Sequence, residues 1–326
     1  NWNGARGFTA TSGPGISLMS EFLGLAYFAE VPLVIFNIQR GGPSTGMPTR
    51  TQQSDILSCA YASHGDTKHV LLFPEDPQEC FEFSAEAFNL AERLQTPVFV
   101  ISDLDIGMND WVTDKFEWDD EQKYDRGKVL KAEDLDKMDN FGRYLDVDDD
   151  GICYRTYPGT HPEKGAFFTR GTSHDEYARY TENGDINEQT LTRLVKKFRT
   201  ASELVPDPII NLSEKQGSSG VIFYGSTSAA MYEAKDILNE NNIEVDLMRI
   251  RSFPFNLDVW EFIENHDLIY VIEQNRDSQM RTLIMAEGGI SAEKLRSLVW
   301  FNGDPIQAKF IAKKIYERES QQALIT

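Results

Sequence analysis

Two glycine-rich loops, each directly after a short apolar run, constrain the fold of this chain more than any other feature. Residues 8–11 and 31–38 have the length and the β-branched or aromatic content of buried strands. The first run leads into SGPG, and the second leads into QRGGPSTGMPTR. Ligands of open α/β sheets bind beyond the carboxyl ends of the strands, so the pattern predicts a ligand site at this edge.

The second loop predicts the chemistry of that site. Arg40 offers a guanidinium that can hold a planar carboxylate through two parallel hydrogen bonds. Four further residues of the loop add hydrogen-bond donors, namely Ser44, Thr45, Thr49 and Arg50. We therefore expect this loop to bind a small anion.

The first loop has a simpler explanation beside the functional one. Ser12 can cap a helix whose first turn contains Pro14, with Gly13 and Gly15 serving a tight turn between strand and helix. A similar choice arises at residues 273–275, which follow a later strand. That segment is either a polar helix start or a contact to a ligand or a second subunit.

The order of apolar segments predicts an α/β fold with two units. The 326 residues suffice for two cores. Residues 1–110 alternate strands and helices as in a doubly wound sheet, residues 111–213 form an extended connection, and residues 214–326 repeat the alternation. Strands are predicted at residues 8–11, 31–38, 69–73, 97–102, 221–224, 243–248, 268–272 and 298–300. Helices are predicted at residues 13–30, 77–94, 191–204, 228–241, 257–264, 279–286 and 306–316.

Charge and cysteine content exclude several classes of function. A net charge of −20 argues against nucleic acid and against anionic membranes as partners. Three cysteines lie far apart and form no C-x-x-C pair, so an iron–sulfur cluster or structural zinc would have to sit on another chain. Unpaired thiols predict a reducing cytoplasm. Residues 146–151 imitate the start of a calcium loop, but the twelfth position is Tyr157, which favours an acidic turn.

Other common site motifs are missing from the sequence. It contains neither a G-x-x-x-x-G-K-[ST] loop nor a G-x-G-x-x-G fingerprint, and its five histidines have no metal-ligand spacing. Nothing resembles a nucleophile elbow. We therefore predict no metal site in this chain.

Longer motifs link the chain to a known family. They are TATSGPG, QRGGPSTGMPTRTQQSD, HGDTKHVLLFP, SDLDIGMND, ICYRTYPGT, FFTRGTSHDEYARYTE and VIEQNRDSQMRTLI. Together they resemble the α subunit of 2-oxoacid:ferredoxin oxidoreductases, most closely the 2-oxoglutarate-type enzymes with two subunits. The resemblance extends over nearly the whole chain.

The resemblance implies an oxidoreductase that uses thiamine diphosphate. Such enzymes decarboxylate a 2-oxoacid, here with 2-oxoglutarate as the expected substrate, reduce ferredoxin through an iron–sulfur cluster, and transfer the acyl group to coenzyme A. The first unit would contact the pyrimidine ring of thiamine, and the last would be a transketolase-C-terminal-like domain. The partner β subunit would hold the diphosphate, Mg²⁺ and the cluster, and ferredoxin would dock mainly on that subunit.

The resemblance also assigns residues. Arg40 would face the substrate carboxylate with Thr45 and Thr49 beside it, and Ser12, Gly13 and Gly15 would lie against the cofactor. The glutamate that activates the pyrimidine is expected upstream of Gly4, so we expect an N-terminally truncated chain without a catalytic residue of its own. Two alternatives remain open: a subunit of another thiamine enzyme, of ketoacid dehydrogenase or transketolase type, or a non-catalytic structural subunit.

Overall fold

The computed structural model describes residues 1–214 and 219–323, which form two five-stranded sheets. The strands are β1 (Phe8–Thr11), β2 (Leu33–Gln39), β3 (Val70–Leu72), β4 (Pro97–Asp103), β5 (Ile209–Asn211), β6 (Ser219–Tyr224), β7 (Val245–Ile250), β8 (Ser252–Phe253), β9 (Ile269–Glu273) and β10 (Leu295–Val299). The helices are α1 (Gly13–Phe28), α2 (Ile56–Ala60), α3 (Pro77–Leu94), α4 (Leu104–Met108), α5 (Ala132–Asp136), α6 (Gly184–Ser202), α7 (Thr227–Glu240), α8 (Leu257–Glu264), α9 (Gln279–Gly288) and α10 (Ala308–Ala323). The predicted α/β class is confirmed.

The N-terminal sheet has the strand order β1-β2-β4-β3-β8, and its first four strands are parallel. Side chains alternate between its two faces, as the pleat of a strand requires. Val34 and Val98 pack with residues of α3, whereas Ile35 and Phe99 pack with residues of α1. Both faces are therefore buried, which explains why these strands are nearly uninterrupted apolar runs.

The C-terminal sheet has the order β10-β9-β6-β7-β5, with β5 antiparallel to the other four strands. One face packs against α7 and α10 through a cluster that includes Phe223 and Leu238. The other face packs Ile222 and Met248 into the same core as Ile35 and Phe99 of the N-terminal sheet. The two sheets thus share one apolar core.

Besides the shared core, strand β8 links the two sheets through its pairing. It follows β7 of the C-terminal sheet in sequence but pairs antiparallel with β3 of the N-terminal sheet, with Phe253 opposite Leu71. The division of the chain at residues 110 and 213 stays a prediction. Strand β8, from the C-terminal part of the chain, pairs with the N-terminal sheet, and residues of both parts form one apolar core.

Several boundaries differ from the sequence-based expectation. Helix α6 begins seven residues before the predicted start at position 191, because Asn183 caps it by accepting hydrogen bonds from the amides of Asp185 and Ile186. Strand β10 begins at Leu295 rather than at 298. The short elements β5, β8, α2, α4 and α5 had no clear periodicity and were not predicted. Phe22 of α1 is apolar and yet 69% exposed.

The acidic segment 146–151 forms a turn whose carboxylates are already paired. Asp146 accepts hydrogen bonds from the amides of Asp150 and Gly151, and Lys128 bridges Asp148 and Asp150. This arrangement agrees with the acidic-turn interpretation. No helix in the described ranges is both long and apolar enough to cross a bilayer.

Candidate anion-binding cleft

A cleft of about 560 Å³ lies where the carboxyl edges of the two sheets approach each other. Its volume falls within the usual range for small-molecule sites. The segments after β1, β2 and β9 all contribute to its walls, as expected for parallel strands whose ends meet at one edge. The lining residues are Gly13, Pro14, Ser17, Arg40, Gly42, Pro43, Ser44, Met47, Gln52, Ser54, Asp55, Ser58, Asn275, Arg276, Asp277, Gln279 and Phe301.

Arg40 borders the cleft directly after β2, where the sequence placed it. Its side chain is half-buried and makes no ion pair within the described residues. Its Nε atom is buried and has no hydrogen-bond partner there. A buried polar atom without a partner costs free energy, on the order of 1–3 kcal/mol. Arg40 therefore keeps a positive charge at the cleft that no carboxylate of the described residues neutralises in an ion pair.

The loop after Arg40 has a fixed conformation. The amide of Gly41 donates to Arg50 O (2.8 Å), and the amide of Met47 donates to Gly41 O (2.8 Å). Gly46 has a φ of +50°, and a Cβ there would lie 1.9 Å from Gly41 O, so only glycine fits. The loop thus holds its shape through its own backbone.

The structure separates the residues that the sequence grouped in this loop. Ser44 lines the cleft with Arg40, whereas Thr45 and Thr49 are exposed and are not among the lining residues. Arg50 is also exposed and pairs with Asp304 at 3.0 Å, as expected for a structural or solvent-facing residue. A role for Thr45 and Thr49 in substrate binding stays a prediction.

The first glycine-rich loop forms the turn into α1 and places one of its three candidate residues at the cleft, while contact with a cofactor stays a prediction. Gly13 lines the cleft, and a Cβ at this position would lie 2.8 Å from Asp55 Oδ1. Gly15 instead faces β1, where a Cβ would meet Thr11 Oγ1 at 1.9 Å. Ser12 occupies the N-cap position of α1 without a side-chain capping bond, and its carbonyl accepts from the amides of Gly15 and Ile16. Of the three residues, only Gly13 reaches the cleft.

Asp55 is a cleft residue that the sequence reasoning missed. Asn37 Nδ2 donates to Asp55 Oδ2 (3.1 Å), and Gln39 Oε1 accepts from the Asp55 amide (3.0 Å). Burial raises the pKa of the Asp55 carboxyl, although Asn37, the amide of Gly13 and the charge of Arg40 oppose this. The available signal was a pair of polar residues, Asn37 and Gln39, inside an otherwise apolar strand.

The opposite wall comes from the segment after β9. Asn275 Nδ2 donates to Gln53 O (2.9 Å) and to Glu273 Oε2 (2.8 Å), so its position in the cleft is fixed from both sheets. Arg276 and Asp277 form an exposed ion pair at 2.7 Å. Glu273 and Asn275 both serve the start of α9: buried Glu273 accepts from the amides of Met280 and Arg281, and Asn275 accepts from the amide of Gln279. Asn275 also lines the cleft, and its contact with a ligand or a second subunit stays a prediction.

A buried polar network holds the two walls together. Gln53 exchanges backbone and side-chain hydrogen bonds with Gln274, and Ser226 Oγ donates to Asp103 Oδ2 at 2.6 Å. Burial raises the pKa of Asp103, whose carboxyl also accepts from Gln53. Because these groups come from both sheets, they fix the width of the cleft.

No cluster of potential metal ligands occurs among residues 1–214 and 219–323. The cysteines at 59, 80 and 153 are all free. The polar groups of the cleft are guanidinium, carboxyl, amide and hydroxyl groups, which suit an organic anion.

Comparison with known proteins decides the family. The model of the family "Pyruvate flavodoxin/ferredoxin oxidoreductase, thiamine diP-bdg" matches residues 1–200, which is more than half of the chain. The chain belongs to this family. Its relatives include the α subunit of 2-oxoacid:ferredoxin oxidoreductase 2 from Aeropyrum pernix, which is 32% identical over 99% of this chain and 50% of its own length.

Two further relatives agree with this assignment. The 2-oxoglutarate synthase subunit KorA of Methanocaldococcus jannaschii is 35% identical over 79% of this chain and 67% of its own length. A solved structure of 2-oxoglutarate:ferredoxin oxidoreductase from Magnetococcus marinus has a TM-score of 0.86 at 27% identity, covering 97% of this chain and 54% of that one. The chain thus spans about half the length of the first relatives. The predicted resemblance and the thiamine-enzyme fold class are confirmed.

Proposed function

We propose that this chain is part of a 2-oxoacid:ferredoxin oxidoreductase and supplies the site for the substrate carboxylate. The enzyme would convert a 2-oxoacid, with 2-oxoglutarate as the expected one, into an acyl-coenzyme A and CO₂ while reducing ferredoxin. The single observation behind this proposal is Arg40, which borders the cleft and makes no ion pair in the described residues. A carboxylate that accepts two hydrogen bonds from this guanidinium would satisfy it.

The lining of the cleft fits one side of the aminopyrimidine ring of thiamine diphosphate. Pro14, Met47 and Phe301 offer apolar surface to a flat ring, and Gly13 leaves space that a side chain would fill. Gln52 supplies an amide group of the kind that recognises ring nitrogens. When bound, the cofactor stabilises the carbanion left by decarboxylation. This chain would orient the substrate through Arg40, with Gly13 next to the cofactor and Ser12 and Gly15 supporting that loop.

A partner subunit would complete the site. Helix α1 exposes two large apolar side chains, Leu18 (87%) and Phe22 (69%), near Ser17 at the edge of the cleft. Apolar residues on more than one face of a helix indicate that another surface covers it. We propose that the β subunit packs there and carries the diphosphate, Mg²⁺ and an iron–sulfur cluster, and that ferredoxin docks mainly on it.

Reconstitution tests this function. The full-length polypeptide, purified together with its β subunit, should reduce ferredoxin when supplied with coenzyme A and 2-oxoglutarate. Pyruvate and a branched-chain 2-oxoacid serve as competing substrates, and omission of coenzyme A serves as the control. A complex that binds thiamine diphosphate but oxidises none of the three acids would favour a non-catalytic structural subunit instead.

A further inference from the structure

Asp55 occupies an unusual position for a carboxyl group beside an anion site. It borders the same cleft as Arg40, yet the two side chains form no ion pair within 4.0 Å. Its Oδ2 accepts from Asn37, which is fully buried, and its Oδ1 lies against Gly13. The carboxyl is therefore held in place by neutral groups rather than by the cation.

We propose that Asp55 is a second ligand-contacting group of this cleft, which takes up a proton when an anion binds and donates a hydrogen bond to it. This inference rests on the proposed function, since it assumes that a carboxylate occupies the site beside Arg40. Asn37 engages one lone pair of Oδ2, so a proton can occupy a remaining position on the carboxyl group. In this state Asp55 adds a donor where an ionised carboxylate would repel the ligand.

The surroundings explain why the proton would go to Asp55. The cleft is lined by two cations, Arg40 and Arg276, and by one other carboxylate, Asp277. Arg276 holds the pKa of the exposed Asp277 below its usual value, so that residue stays ionised. On the side of α2, the thiol of Cys59 is buried and stays neutral, because burial raises its pKa strongly. Among residues 1–214 and 219–323, no histidine or lysine lines the cleft, which leaves Asp55 as the proton acceptor of this described lining.

Charge repulsion makes proton uptake and anion binding mutually dependent. Burial already raises the pKa of Asp55 in the free protein, and a bound carboxylate raises it further because like charges disfavour ionisation. The anion therefore binds best when Asp55 is protonated. The affinity for the anion falls as the pH rises above the pKa that Asp55 has in the free protein. It levels off once the pH exceeds the higher pKa that Asp55 has in the complex. One coupled proton corresponds to a decrease of up to about tenfold per pH unit in that window.

Calorimetry of the full-length complex tests this coupling. The probes are N-oxalylglycine and oxamate, which imitate 2-oxoglutarate and pyruvate, resist decarboxylation and stay ionised above pH 5. Each titration is run in two buffers of different ionisation enthalpy, so that the difference in heat gives the number of protons taken up. We expect uptake that approaches one proton and an affinity that falls with rising pH.

Two variants locate the proton. Asp55→Asn keeps a neutral, hydrogen-bonding side chain and should bind the probe without proton uptake and with little pH dependence. The matched control is Asp277→Asn, which removes the other carboxylate of the cleft and should leave the proton uptake as in the wild type. If Asp55→Asn does not fold, the ligand-difference infrared spectrum of the wild type decides in its place, through the appearance or absence of a protonated carboxyl band.

The outcomes separate this inference from the proposed function. Wild-type protein that binds a probe without proton uptake, or Asp55→Asn that still takes up a full proton, would overturn the role of Asp55 and leave the carboxylate site standing. Failure of both probes to bind at any pH would count against the site itself, and the inference would fall with it.

Discussion

At the scale of single residues, the proposed anion site depends on Arg40. Its guanidinium borders the cleft and makes no ion pair among the described residues. It can therefore form charge-assisted hydrogen bonds with a ligand without first breaking an ion pair. Hydrogen bonds to charged groups contribute about 1.5–3 kcal/mol each. We expect Arg40→Ala to lower kcat/KM for a 2-oxoacid by at least about tenfold, since 1.4 kcal/mol corresponds to a factor of ten. Steady-state kinetics of the complex measure this effect.

Other substitutions in the same loop serve as comparisons for Arg40→Ala. Arg40→Lys should recover only part of the activity, because an ammonium keeps the charge but loses the bidentate geometry. Thr45→Val and Thr49→Val should cost less, because each removes a neutral hydroxyl from an exposed position. Arg50→Ala is the control, since its exposed ion pair with Asp304 contributes little. Normal turnover by Arg40→Ala together with inactivity of Arg50→Ala would refute the assignment.

The same residues show what a sequence can predict about a site. Arg40 and Gly13 follow directly from strand ends, so local pattern suffices to place them at the cleft. Asp55 reaches Asn37 across 18 positions, and Asn275 reaches Gln53 across 222. Those contacts depend on how strands and sheets are arranged in three dimensions. Periodicity does not encode that arrangement, so the sequence analysis missed Asp55 and left the role of residues 273–275 open.

At the scale of elements, α6 is held against the end of α1 by buried charges. Glu30 is 1% exposed, and its carboxylate accepts from Arg193 at 2.5 and 3.1 Å and from Lys197 at 2.9 Å. Burial opposes ionisation of Glu30, yet the two cations hold its pKa below the usual range. Glu30→Gln would leave both cations without their counter-charge. We expect a loss of about 3–5 kcal/mol in the free energy of unfolding, measured by urea denaturation.

Helix α6 also offers a matched control for that change. Asp149 pairs with Lys196 on the same helix, but its side chain is 94% exposed. Asp149→Asn should therefore change the unfolding free energy by less than about 1 kcal/mol, because solvent screens exposed ion pairs. Equal losses for Asp149→Asn and Glu30→Gln would show that the buried charges do not anchor the helix.

Element prediction succeeded where a segment has its own periodicity. Helix α3 was predicted with its observed bounds, because Pro77 begins it and Gln95 ends it in the left-handed conformation. Strand β8 has only two residues and exists because Leu71 of β3 lies beside it. Its pairing depends on a contact of long sequence separation, and no local pattern distinguishes such a strand from a loop.

At the scale of the whole molecule, a second buried ion pair joins the two sheets. Glu79 on α3 accepts from Arg249 of β7 at 2.6 and 2.8 Å, and from Arg251 at 2.9 Å. Arg249 is 1% exposed, so its charge depends on these partners and on Glu75. Together with strand β8 and the common core, this pair makes the sheets one structural unit. The cleft lies between the sheets, so its geometry depends on that union.

Removal of the Glu79 charge tests whether the sheets unfold together. Glu79→Gln leaves the Arg249 guanidinium buried with a weaker partner, and we expect a loss of about 3–5 kcal/mol in unfolding free energy. Because the pair bridges the sheets, the single unfolding transition expected of the wild type should split into two in urea. The matched control is Glu82→Gln, an exposed position one turn along α3 that should change neither quantity. If Glu79→Gln unfolds in one transition at the wild-type urea concentration, the common core alone unites the sheets.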